Sequence, residues 1–146
     1  MEQFDINWLA LIVAAISTLV VGSIYYGPLF GKMWQKEVGI SDAELKAGNM
    51  LKIFGLSLIF AFVISFVLWF MVMTGGGPGE AHGHGGNFMT FKHGAFHGAL
   101  TGVFLVLPII GTIALYERKS LRYVLLTVGY WTISMAVMGG IINVWP

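Results

Sequence analysis

Residues 91–116 read FKHGAFHGALTGVFLVLPIIGTIALY, and this stretch decides what kind of chain it belongs to. It exceeds the roughly 20 apolar residues that cross a hydrocarbon core. Its only formal charge is Lys92, near the start. His93 and His97 stand one helical turn apart, with Gly94, Gly98 and Gly102 recurring every fourth residue beside them. Small residues at that spacing let helix backbones approach closely in lipid. Ionisable groups inside a span are costly, which makes the two histidines functional candidates by default.

Working outward, three further runs have the same character, and the predicted spans are residues 7–26, 53–73, 92–115 and 121–144. Of the 146 residues, 57% are hydrophobic and 10% charged, with a mean hydropathy of +0.81. A water-facing domain carries about 25% charged residues. The expected fold is therefore all-α: one polytopic membrane domain, residues 1–146, with four transmembrane helices in an antiparallel bundle. The start, MEQFDIN, is acidic and no A-x-A site follows a short apolar core, so the first run reads as a retained helix. Trp8, Trp69 and Trp145 are expected to anchor one membrane interface, and Tyr25, Tyr26, Tyr116 and Tyr123 the other.

Seven of the eight basic residues fall on one side of these spans: Lys32, Lys36, Lys46, Lys52, Arg118, Lys119 and Arg122. Only Lys92 falls opposite. The positive-inside rule puts the basic side in the cytoplasm of a bacterial inner membrane, with both termini and residues 74–91 outside. Within the first cytoplasmic connection, residues 32–38 predict a short interfacial helix with Met33, Trp34 and Val38 as its apolar side. Ser41 with Glu44 reads as a capping box opening another helix, expected to continue through Gly48 into the second span. Residues 117–120 form a tight turn, so the third and fourth spans must be antiparallel neighbours. The outside connection, TGGGPGEAHGHGGNFMT, is glycine-rich and without periodicity.

Every span carries small residues at every fourth position: Ala10, Ala14, Thr18 and Gly22; Ser57, Ala61 and Ser65; Gly94, Gly98 and Gly102; Thr132, Ala136 and Gly140. Four such stripes predict close helix packing, with one stripe available to a second copy in a homo-oligomer.

Four segments, NWLALIVAAI, YYGPLFGKMW, AGNMLKIFGL and LYERKSLRYVLLTVGYWTISMAVMGGII, resemble the family of small bacterial four-helix membrane proteins catalogued as domain of unknown function 1761. The resemblance covers nearly the whole chain, and PLFGK-x-W and the closing GY…MGG are its more specific parts. It implies a four-span inner-membrane protein and carries over no activity, ligand or catalytic residue. The length and histidine content of residues 74–90 depart from it.

Four histidines bear on function. His82 and His84 form H-x-H, and His93 and His97 share a helix face. Three or four imidazoles suit zinc, copper or nickel, and Met73 and Met89 are near enough in sequence to serve copper. The competing and preferred reading is structural: Asn7, His93, His97 and Asn143 form a hydrogen-bonded polar cluster at the outer end. No cofactor is required by the sequence. H-x-x-x-H lacks the glutamate of a zincin, and no span contains Asp or Glu for acid–base work. Without cysteine there is no thiol nucleophile. A net charge of +1 offers no nucleic-acid footprint. Pro108 is the one helix-breaking signal of the kind found at transporter sites.

The expectation is thus a non-enzymatic membrane protein whose partners are the lipid bilayer and a second copy of itself, acting through assembly or ligand binding. The alternative is small-solute or metal-ion handling by the outward histidines.

Overall fold

The structure, a computed structural model, describes residues 6–74 and 89–145. Four helical spans run back and forth. The first is α1 (Trp8–Ile24), extended by a wide π turn at Tyr25–Leu29. Two short helices follow, α2 (Gly31–Val38) and α3 (Asp42–Ala47). The second span is α4 (Met50–Thr74). The third is α5 (Phe91–Thr101), a π turn at Gly102–Val106 and α6 (Leu107–Tyr116); the fourth is α7 (Leu121–Val144). All four are long and apolar enough to cross a membrane. The seven clustered basic residues lie towards one end of the bundle, and both described histidines lie at the other.

Polar caps open the spans, since the first N–H groups of a helix have no partner within it. Asn7 accepts from the Ala10 amide at 3.0 Å, Asn49 from Lys52 at 3.0 Å, Thr90 from His93 at 3.3 Å and Ser120 from Tyr123 at 3.0 Å. The capping box at Ser41 and Glu44 is present, but the helix it opens stops short. Gly48 is extended at φ −65°, ψ 145°, and Asn49 starts α4 afresh. The expected continuous helix through Gly48 is therefore broken by a flexible residue followed by a strong cap.

Both π turns sit at prolines. Proline lacks an N–H and its ring clashes with the carbonyl four residues back; a wider turn relieves that clash. In the first, Phe30 N–H donates to Tyr25 O at 2.8 Å around Pro28. Gly31 then turns the chain so tightly that a Cβ there would lie 3.1 Å from the Tyr26 carbonyl carbon. The PLFGK stretch is thus a proline-widened helix end followed by a glycine that opens α2 in close contact with the preceding turn. On α2, Trp34 and Val38 are half-buried as expected, whereas Met33 is exposed and Glu37 takes its place facing the bundle. Glu37 accepts from the Ser120 hydroxyl and pairs with Arg122 at 3.8 Å, so the two connections at the basic end are tied together.

The fourth span is the hub. α7 contacts α1, α4, α5 and α6, whereas α4 and α5 barely meet. One core joins Leu11 and Ala14 of α1, Leu68 and Trp69 of α4, and Met135, Met138 and Ile142 of α7. A smaller one joins Ala114 of α6 to Val124 and Val128 of α7. Two expected interface anchors belong instead to the interior: Trp69 and Tyr25 are 8% and 7% exposed. Trp69 packs in the main core, and Tyr25 spends its hydroxyl on the Leu126 carbonyl at 3.0 Å.

The closest approach is between α5 and α7. A Cβ on Gly98 would lie 2.6 Å from the Met135 carbonyl carbon, and one on Gly102 would lie 2.5 Å from the Thr132 Cα. In lipid, where apolar burial between helices gains little, such close packing is a principal source of association. Ala10, Ala14, Thr18, Ala61 and Ser65 are likewise buried, while Ser57 is exposed. The first stripe ends at Gly22, against the Tyr130 ring.

Candidate functional site at the histidine end

Thr90 caps α5, and Gly94 and Gly98 seat that helix against α7. This fixes the backbone on which His93 and His97 ride. The Thr101 hydroxyl adds a bond to the His97 carbonyl at 2.9 Å. The two imidazoles meet edge to face, centroids 4.6 Å apart and planes at 69°. Their Nε2 atoms are 3.2 Å apart. Neutral imidazole carries one donor and one acceptor nitrogen, so in this contact one Nε2 donates and the other accepts. Phe96 stands edge-on to His97 at 5.9 Å, and both histidines are half-buried.

Asn143 and Asn7 occupy the same end. Asn143, 6% exposed, donates to the Thr90 carbonyl at 2.8 Å, joining the end of α7 to the start of α5. Asn7 caps α1 and reaches the Trp145 carbonyl at 3.5 Å. His93 and His97 touch each other, and at the same end of the bundle the two asparagines bond to main-chain carbonyls at helix termini.

His82 and His84 lie outside the described residues, as does the Met73 side chain. Among the described residues, no three side chains of metal-ligating type gather at one point. The packing positions Gly94, Gly98, Gly102, Ala10, Ala14, Ala136 and Gly140 are all at helix contacts or buried: the Ala136 Cα faces Gly98, and Gly140 lies under the Phe91 ring. Sequence reasoning missed Gly139, which opposes Gly94, although the adjacent pair Gly139–Gly140 was the available signal. It also missed Glu37, half-buried on the apolar side of α2, whose carboxylate meets Ser120 and Arg122.

Several serine and threonine hydroxyls inside the spans bond to their own helix, whereas the buried Ser134 hydroxyl has no hydrogen-bond partner among the described residues. Ser17 donates to the Ala14 carbonyl at 2.6 Å, Thr18 to Ala15 at 2.8 Å, Ser65 to Phe62 at 2.7 Å and Thr112 to Pro108 at 2.7 Å. These are back-bonds that satisfy a hydroxyl in an apolar setting.

Four apolar spans packed through small residues, with an interfacial helix after the first, define a polytopic helical membrane protein. The chain belongs to the family described as "Protein of unknown function (DUF1761)", whose match covers residues 9–143. No curated protein and no solved structure matches it.

Proposed function

We propose that this protein is a non-enzymatic component of the bacterial inner membrane that works by assembling with itself, its basic end in the cytoplasm and both termini outside. One observation carries the assembly: the first part of α4 is exposed around most of its circumference. Leu51, Ile53, Phe54, Gly55, Leu56, Ser57, Ile59 and Phe60 are all exposed and only Leu58 between them is half-buried, so this stretch turns little of its surface towards the other helices. Gly55 has nothing within 4 Å of where a Cβ would stand, leaving room for a close helix partner. The seven-to-one division of basic residues supports the orientation. The absence of carboxylates from the spans and the bonding of the Ser17 and Ser65 hydroxyls to their own helices support a role without catalysis.

The chain has no cysteine, so single cysteines report cleanly. Oxidation of Gly55→Cys in membranes should give a dimer-sized band, whereas Leu115→Cys, on the exposed side of α6, should not. Mass in detergent should be a multiple of 16.0 kDa for the protein component. A monomer that fails to cross-link at Gly55 overturns the assembly. For orientation, Lys119→Cys should resist an impermeant thiol reagent in intact cells and Gly77→Cys should react; the reverse pattern inverts the protein.

A second reading, metal-ion handling by the outward histidines, is favoured by the 3.2 Å separation of the His93 and His97 Nε2 atoms.

A further inference from the structure

We infer that His93 and His97 form a two-imidazole chelate for a tetrahedral divalent cation, zinc in the first instance, at the histidine end of α5; the inference rests on the metal-handling reading. Zinc binds imidazole nitrogen at about 2.0–2.1 Å with tetrahedral angles, which places two such nitrogens about 3.3–3.4 Å apart. Right-angled octahedral or square-planar coordination at similar bond lengths would draw them to about 2.9 Å. The observed Nε2–Nε2 separation is 3.2 Å, nearer the tetrahedral value. The two nitrogens already stand side by side, one hydrogen bond apart, at the same end of α5.

The scaffold is built to hold that separation. Gly94 and Gly98 press α5 onto α7 backbone to backbone. The Thr90 hydroxyl accepts from the His93 amide, the Asn143 amide donates to the Thr90 carbonyl, and the Thr101 hydroxyl donates to the His97 carbonyl. Little backbone order has to be created when the ion arrives, which is the condition for strong ligation from few ligands. Without metal, one proton lies between the two Nε2 atoms. On binding, that proton moves to Nδ1 of the same ring through solvent exchange, so both Nε2 lone pairs face the cation and no net proton is lost. Tetrahedral coordination takes two donors besides this pair, supplied by water or by another group.

The test uses the full chain purified in detergent without a histidine tag. Cobalt(II) is titrated as a spectroscopic probe and then displaced by zinc. Wild type should bind one equivalent with the intense visible absorption of tetrahedral cobalt. His93→Gln and His97→Gln, which keep a hydrogen-bonding amide, should each weaken binding by more than about tenfold, at least the cost of losing a supporting group around a metal. The His82→Ala/His84→Ala double variant should still bind. X-ray absorption of the zinc-loaded wild type should count at least two imidazoles, a readout that stands even where a glutamine variant fails to fold. If binding is lost in the His82/His84 variant and kept in both glutamine variants, the chelate is wrong while metal handling survives. If the wild type takes up no stoichiometric cobalt or zinc, both fall.

Discussion

Gly94 and Gly139 face each other across the α5–α7 contact with only backbone between them. A Cβ on Gly94 would stand 2.7 Å from the Gly139 carbonyl carbon, and one on Gly139 would stand 3.1 Å from that of Gly94. Neither glycine can be replaced without moving a helix, because the atoms in the way are main chain, joined at Gly94 by the Cβ of Asn143. The relationship continues down the pair through Gly98 with Met135 and Gly102 with Thr132.

Gly98→Leu should therefore separate α5 from α7. Overpacking of this kind costs about 1–3 kcal/mol where side chains can give way, and backbone cannot. Gly111→Leu, at a position with nothing within 4 Å, is the matched control. Thermal melting in detergent should show a clear drop for the first and little change for the second. Equal melting temperatures would mean that this contact does not hold the bundle together.

Arg118 ends the third span in a left-handed conformation, φ 55°. Its amide bonds to the Leu115 carbonyl at 3.2 Å, and the Lys119 amide bonds to Ala114 at 2.8 Å, the pattern that usually takes glycine at this position. An L-residue pays about 1–2 kcal/mol to sit there. Arg118→Gly should raise stability by up to about 1 kcal/mol, the remainder being offset by the freedom glycine adds to the unfolded chain. A lowered melting temperature would show that the arginine side chain contributes more than its backbone strain costs.

The spans, their number and the tightness of their packing were legible in the sequence because lipid imposes length and small-residue spacing directly. Which helix sits at the centre was not. All four spans carry the same kind of stripe, and only the facing geometry of Gly94, Gly98 and Gly102 against α7 singles out the fourth. The break at Gly48 was hidden because a capping box and an apolar run flank it on either side, and the extended backbone between them has no periodic signature. Tyr25 illustrates a third limit: tyrosine at a span end fits an interface anchor, and nothing in its neighbours reveals that its hydroxyl reaches a carbonyl on another helix. For the candidate site, His93 and His97 could be placed on one face from their spacing alone. The convergence of their Nε2 atoms depends on ring rotamers that spacing does not determine.

At Ser41, the backbone amide donates to the Glu44 carboxylate at 2.8 Å and the hydroxyl does so at 2.7 Å. The amide contact is the larger cause, and together they hold the Glu44 carboxyl below the ordinary glutamate range. Since the folded value is the lower one, this stabilisation is present above the unfolded glutamate value and is lost as pH falls through the folded one. Carboxyl-carbon NMR titration should place the wild-type midpoint lowest. Ser41→Ala, which removes the hydroxyl, should be intermediate. Ser41→Pro should be highest, because it removes both donors at a φ of −78° that proline tolerates. A Ser41→Ala midpoint equal to that of Ser41→Pro would reassign the effect to the hydroxyl.

The sharpest expectation concerns Tyr25 and Gly129. The Tyr25 hydroxyl bonds to the Leu126 carbonyl at 3.0 Å, and a Cβ on Gly129 would lie 2.7 Å from that hydroxyl oxygen but 3.7 Å from the ring carbon bearing it. Glycine at 129 therefore makes room for the oxygen alone. Tyr25→Phe should cost about 0.5–1.5 kcal/mol for the lost bond. Gly129→Ala should also destabilise, because the methyl displaces the hydroxyl by more than the gain in helix propensity, up to about 1 kcal/mol, can offset. In the Tyr25→Phe background the obstructing oxygen is gone, the remaining contact is ordinary, and only the propensity gain is left. The same Gly129→Ala change should then be neutral or stabilising. Unfolding of the four species of this double-mutant cycle measures the reversal. A Gly129→Ala effect of the same size in both backgrounds would show that the glycine serves some contact other than the Tyr25 hydroxyl.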